Sequence, residues 1–113
     1  MEIYEKADEL AQAIHQCKEY QELVAAGKEL AKDEKTKKMV HDFLFLQAEL
    51  AYAQSMGGTT KKKFEELNRM APLIQSNQQA SLYLAKYKTW QDMVGKIYQT
   101  IQYSMAEGMS ILD

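Results

Sequence analysis

SNQQASLYLAKYKTWQDMVGKIYQTIQYSMA, residues 76–106, is the stretch on which the fold class turns. Tyr83, Tyr87, Trp90, Val94, Ile97 and Ile101 recur at alternating steps of four and three, which is one face of an α-helix. Leu84, Tyr98 and Met105 widen that face. Ser76 followed by Gln79 fits a capping box, so the spacing predicts one helix from about Asn77 to Ala106. About thirty helical residues span ~45 Å, more than a compact domain of this length comfortably covers. Trp90 lies midway along the stripe and is expected to be largely buried. Core packing accounts for such a face in most helices. The alternative is an interface, because aromatic residues and Met are enriched where proteins touch. The six stripe residues Tyr83, Tyr87, Trp90, Val94, Ile97 and Ile101 are therefore the candidate interface, with a second copy expected to cover what the bundle leaves open.

The rest of the chain repeats the pattern in shorter pieces. Ile3, Ala7, Leu10, Ile14 and Cys17 mark a first helix, with acids at its start that suit the helix dipole. Tyr20, Leu23, Val24, Gly27, Leu30 and Ala31 mark a second, and the break between them falls near Cys17-Lys18 without a Gly or Pro. Gly27 on an apolar side suggests close approach of another backbone. Asp33 reads as the N-cap of a third helix running to about Met56. Its inward stripe is Thr36, Met39, Phe43, Leu46, Leu50 and Ala53, and Gly57-Gly58 ends it. Thr59 or Thr60 opens a fourth helix with Phe64, Leu67, Ala71 and Ile74 inward, and Pro72 is expected to kink or end it at about Ala71. Tight turns between these pieces predict an all-α fold, a single domain over residues 1–113. It is an antiparallel bundle of about five helices built on a long helical hairpin, with the third and fifth helices as spine.

Composition narrows the function. The chain has 113 residues with five Gly and one Pro, and good helix formers dominate. A formal charge of -2 exerts no general pull on nucleic acid or anionic lipid. The first residues are charged and lack the apolar core of a signal peptide. No run is long enough for a membrane-spanning helix. A single cysteine, Cys17, makes no internal disulfide. A cytoplasmic protein is the expectation.

No motif of an enzyme is present: no phosphate-binding glycine loop, nucleophile elbow or paired histidines at metal spacing. His15 and His41 fall on separate helices, and Asp42 is one residue from His41, which on a helix points elsewhere. Cys17 sits on an apolar face and reads as a small hydrophobe. Neither a catalytic residue nor a metal or other cofactor is expected. Lys28, Lys32, Lys35, Lys37 and Lys38 form one lysine cluster, and Lys61, Lys62 and Lys63 another. Such runs can bind RNA phosphates, and an RNA-associated factor supporting mRNA processing is the alternative function. Interleaved acids (Glu29, Asp33, Glu34, Glu65, Glu66) favour a solvated face instead, with DNA not expected as a partner.

Ile3-Tyr4, Ala7-x-x-Leu10, Glu19-Tyr20, Asp33-Glu34 after Ala31, Phe43-x-x-x-Gln47, Leu73-Ile74 and Asn77, taken in this order, resemble the YlbF/YmcA family of small helical proteins of Gram-positive bacteria. The resemblance implies a commonly dimeric helical protein without enzymatic activity. Its best understood members work in a cytoplasmic regulatory complex acting on competence, sporulation, biofilm development and mRNA processing. Some members hold iron–sulfur clusters through cysteines. A chain with Cys17 alone departs from that pattern, which points to a YheA-like branch. The function expected is a homo-oligomeric adaptor or regulator, a dimer that also meets other cytoplasmic proteins.

Overall fold

The computed structural model describes residues 1–112. Six helices run along them: α1 (Glu2–Gln16), α2 (Lys18–Leu30), α3 (Glu34–Ser55), α4 (Lys61–Gln75), α5 (Gln78–Ser104) and α6 (Ala106–Ser110). No strand occurs among the described residues, so the fold is all-α. α6 is a short helix that the sequence pattern runs into the long one; the α5 ladder stops at Ser104.

The described residues divide into two compact units: residues 24–85, and residues 1–23 with 86–112. The first contains the core. Leu30 of α2, Val40 of α3, Ile74 of α4 and Ala80 of α5 form one buried cluster, with Met39, Phe43, Leu44, Tyr83 and Leu84 packed against it. Val40 is 1% exposed. α3 and α4 pack side by side as a helical hairpin. The hairpin turns where expected. Gly57 takes φ 72°, the left-handed conformation that suits glycine, and the Gly58 N–H donates to the Ala53 carbonyl at 2.8 Å. The closest neighbour of α3 is therefore α4, not the fifth helix as expected, while α5 enters this core through its first turns.

A polar network ties two helix starts together inside the same unit. Asp33 caps α3, its carboxylate accepting from the Lys35 N–H at 3.1 Å. The buried Thr36 hydroxyl donates to Asp33 Oδ2 at 2.9 Å and accepts from Asn77 Nδ2 at 3.2 Å. Asn77 Oδ1 in turn accepts the Ala80 N–H at 3.0 Å. The cap of α5 is thus Asn77, and the capping box expected at Ser76 does not form. The Ser76 hydroxyl instead turns back to the Leu73 carbonyl at 2.9 Å. Pro72 does not end α4, which continues to Gln75. Pro72 gives up one N–H of the ladder, and the buried Ile74 beyond it anchors the last turn.

In the other unit, α1 ends at Cys17, whose backbone is extended. The Gln21 side-chain amide donates to the His15 carbonyl at 2.6 Å and satisfies part of that terminus. Cys17 Sγ lies 3.9 Å from Met93 Sδ, and Lys86 bonds Glu22 at 2.8 Å. That lysine, with Lys18 adding to it, holds the Glu22 carboxyl below its ordinary range. These contacts bind α5 to the α1–α2 junction.

Candidate functional site

The six stripe residues of α5 fall in both units and are unevenly covered. Tyr83 belongs to the core unit, and its ring edge lies 3.4 Å from where a Gly27 Cβ would stand. What Gly27 admits is therefore an aromatic ring and not the backbone expected there. Tyr87, Trp90, Val94 and Ile97 are half-buried, and Ile101 is exposed. The Tyr87 and Trp90 rings meet at 5.8 Å with a 47° tilt. Trp90 is less covered than expected, since it lies in the unit without a core. Its indole Nε1 is nonetheless enclosed and finds no acceptor among the described residues.

Every fully buried residue lies between Ala26 and Ala80; among the described residues, positions 1–23 and 86–112 contain none. The latter set instead shows large apolar side chains to solvent. Ile3 is 65% exposed, and Tyr4, Tyr98, Tyr103, Met105 and Met109 are at least half exposed. Sequence periodicity marks Ile3 as inward because it repeats with Ile14 and Cys17. The inward side is covered only at that later end, where Met93 meets Cys17. A second set of exposed side chains, Phe45, Tyr52 and Met56, lies on the α3–α4 hairpin. The sequence reading passed over these.

No three His, Cys, Asp or Glu side chains gather as a metal site among the described residues. His15 packs its ring against Tyr20 at 5.4 Å. His41 Nδ1 comes within 3.5 Å of Asp42 Oδ1, closer than neighbours on a helix suggest, because both exposed side chains swing along the surface. Asp42 is held below the ordinary carboxylate range first by Lys38, which donates to it at 2.7 Å, and then by His41. Lys38 is thereby paired, as is Lys32 with Glu29 at 2.9 Å. No helix among the described residues is long and apolar enough to cross a membrane.

Comparison with known proteins gives the chain relatives in sequence and in fold. Residues 3–106 match the family described as control of competence regulator ComK, YlbF/YmcA. A UPF0342 protein of Caldicellulosiruptor saccharolyticus is 31% identical over 112 residues, covering 98% of this chain and 90% of that one. A UPF0342 protein of Clostridium tetani is 28% identical over 111 residues, covering 94% and 96%. Among solved structures, a protein of unknown function (DUF964) from Bacillus stearothermophilus superposes with TM-score 0.74 at 20% identity, over 95% of each chain. RicA of Bacillus subtilis, solved in complex with RicF, gives TM-score 0.59 at 14% identity over 96% of each chain.

Proposed function

The chain belongs to the YlbF/YmcA family, and we propose that it works without an active site, by protein–protein association, as a homo-oligomeric adaptor or regulator in the cytoplasm. The carrying observation is the coreless unit. A piece of chain that buries no residue fully, while exposing Ile3, Tyr4, Tyr98, Tyr103, Met105 and Met109, lacks the apolar burial that holds small folds together. Each such side chain shows on the order of 100 Å². Six of them approach the ~800 Å² per partner of a specific interface. A second copy supplies the same face and closes the contact symmetrically. The interface then comprises Ile101 and the exposed residues after it, with Ile3 and Tyr4 of α1. Val94 and Ile97 form its inner edge, and Tyr87 and Trp90 hold the helix behind it. The structural neighbour RicA, itself solved with a protein partner, supports association as the mode of action.

Sedimentation velocity at micromolar concentration tests this. The wild type is expected to run as a dimer, and Ile3→Asp with Ile101→Asp as a monomer. A wild type that sediments as a compact monomer removes the main physical support.

A further inference from the structure

Cys17 Sγ and Met93 Sδ, 3.9 Å apart, mark the point where α1 meets α5. From there α1 runs back about 21 Å to Ile3, and α5 runs on about 17 Å to Ser104. Along both lengths the apolar residues keep to one narrow side. At about 100° per residue, Ile3, Ala7, Leu10, Ile14 and Cys17 share such a side of α1, and Val94, Ile97, Tyr98 and Ile101 one of α5. Met105 follows them just past the end of α5. Cover fades along both helices in step. Ile14, Val94 and Ile97 are half-buried, whereas Ile3, Ala7 and Leu10 on α1 and Tyr98, Ile101 and Met105 on the other seam are exposed. The chain thus offers two seams of one kind, open over similar lengths, and neither covers the other beyond Ile14. The charges beside them differ. α1 carries Glu2, Glu5, Asp8 and Glu9 against Lys6, which bonds Glu9 at 3.4 Å. From residue 94 to residue 112 the chain carries Lys96 and Glu107 alone.

We propose that two copies associate reciprocally: α1 of each lies along α5 of the other, its seam of residues 3–14 on the seam of residues 94–105. The proposal rests on self-association and names the helices that carry it. Narrow apolar seams at alternating steps of three and four are what two packed helices present to each other. Pairing like with like fails for α1. In either direction, two copies of that helix would set four carboxylates and one lysine against the same set, and like charges so placed work against a contact. The seam on α5 has no such excess beside it, so it is the one that can receive α1. A twofold axis turns one α1–α5 contact into two. Reciprocal pairing therefore leaves no seam open, whereas a contact of α5 with α5 would leave Ile3 and Leu10 of both copies in water.

Two full-length variants test the pairing. One carries Ile3→Lys with Leu10→Lys, the other Ile101→Glu with Met105→Glu. Alone, each variant sets a charged seam against an apolar one at both contacts. Each is expected to dimerise at least about tenfold more weakly than the wild type. An equimolar mixture relieves both contacts: one is wild type on each side, and the other sets lysines against glutamates. The mixture is expected to form a heterodimer at least about tenfold tighter than either variant's own dimer, read by sedimentation velocity with one variant labelled. Part of that gain should be lost between about 50 mM and about 300 mM salt. All four side chains are exposed, so melting curves should stay near that of the wild type. If a double variant melts early, the single changes Ile3→Lys and Ile101→Glu are mixed in the same way. A mixture no tighter than the separate variants overturns the proposal. So does a lysine variant that still dimerises like the wild type, since α5 would then pair with α5. A monomeric wild type removes self-association and this pairing together, whereas a dimeric wild type whose variants do not complement removes the pairing alone.

Discussion

Replacing Thr36 by valine removes one hydroxyl and keeps the shape of the side chain. Helix propensity is matched between the two residues, so the change isolates the network that joins the starts of α3 and α5. Two bonds disappear: the one donated to Asp33 Oδ2 and the one accepted from Asn77 Nδ2. A typical bond of this kind is worth ~0.5–1.5 kcal/mol net. Asp33 is exposed and regains water, so its share is small. The half-buried Asn77 amide loses a partner in a tight setting, and its Oδ1 holds the free N–H of Ala80 in the first turn of α5. A loss of ~1–2 kcal/mol follows, or roughly 4–10 °C in Tm for a chain of this size. Thermal and urea melts of Thr36→Val, Asn77→Ala and the double variant provide the test. The two single effects should overlap, leaving a coupling of at least ~0.5 kcal/mol. A Thr36→Val protein as stable as the wild type, or strictly additive effects, would refute the network as a source of stability. The same change has a pH signature. The Thr36 hydroxyl is the largest cause holding the Asp33 carboxyl below its ordinary value of 3.8. A carboxyl depressed in the folded state contributes stability above its unfolded pKa and loses it as pH falls through the folded one. The gap between wild type and Thr36→Val should therefore narrow below about pH 4.

Other substitutions probe single features. Gly27→Ala places a Cβ at ordinary contact, 3.4 Å from the Tyr83 ring, and should raise stability by up to ~1 kcal/mol through helix propensity; a lower Tm would mean the ring cannot yield. Lys61→Glu replaces a cation in the first turn of α4, which has no acid there, and should add ~0.3–1 kcal/mol at low salt that fades in high salt. Trp90→Ala should cost ~2–3 kcal/mol, under the ~3–5 of a fully buried tryptophan, because the ring is half-exposed. Trp90→Phe should stay within ~1 kcal/mol of wild type, since it also removes the enclosed Nε1 that has no acceptor; a loss as large as that of alanine would show that Nε1 is bonded.

Much of the architecture was readable before the structure because its signals are local. Asp33 as a cap, the Gly57-Gly58 stop and the apolar runs of α3, α4 and α5 each depend on residues a few positions apart, and each helix lies where its signals put it. What escaped depends on residues distant in sequence or on competition between neighbours. Ser76 and Asn77 are both good caps, and Asn77 wins because its amide also reaches Thr36, 41 residues earlier. Pro72 looks terminal until Ile74 is seen buried beyond it.

The surfaces escaped for a different reason. Periodicity reports which side of a helix is apolar, and it is silent on whether anything covers that side. On α1 the stripe from Ile3 to Cys17 is continuous, yet Cys17 meets Met93 while Ile3 faces solvent. On α3 two apolar sides oppose each other, so Phe45, Tyr52 and Met56 vanish into a pattern already explained by Val40, Phe43 and Leu50. Both exceptions have one physical form: apolar side chains at helical spacing with no neighbour on their side. Such uncovered sides are available for contacts beyond the chain. That is the physical ground for the proposal of association.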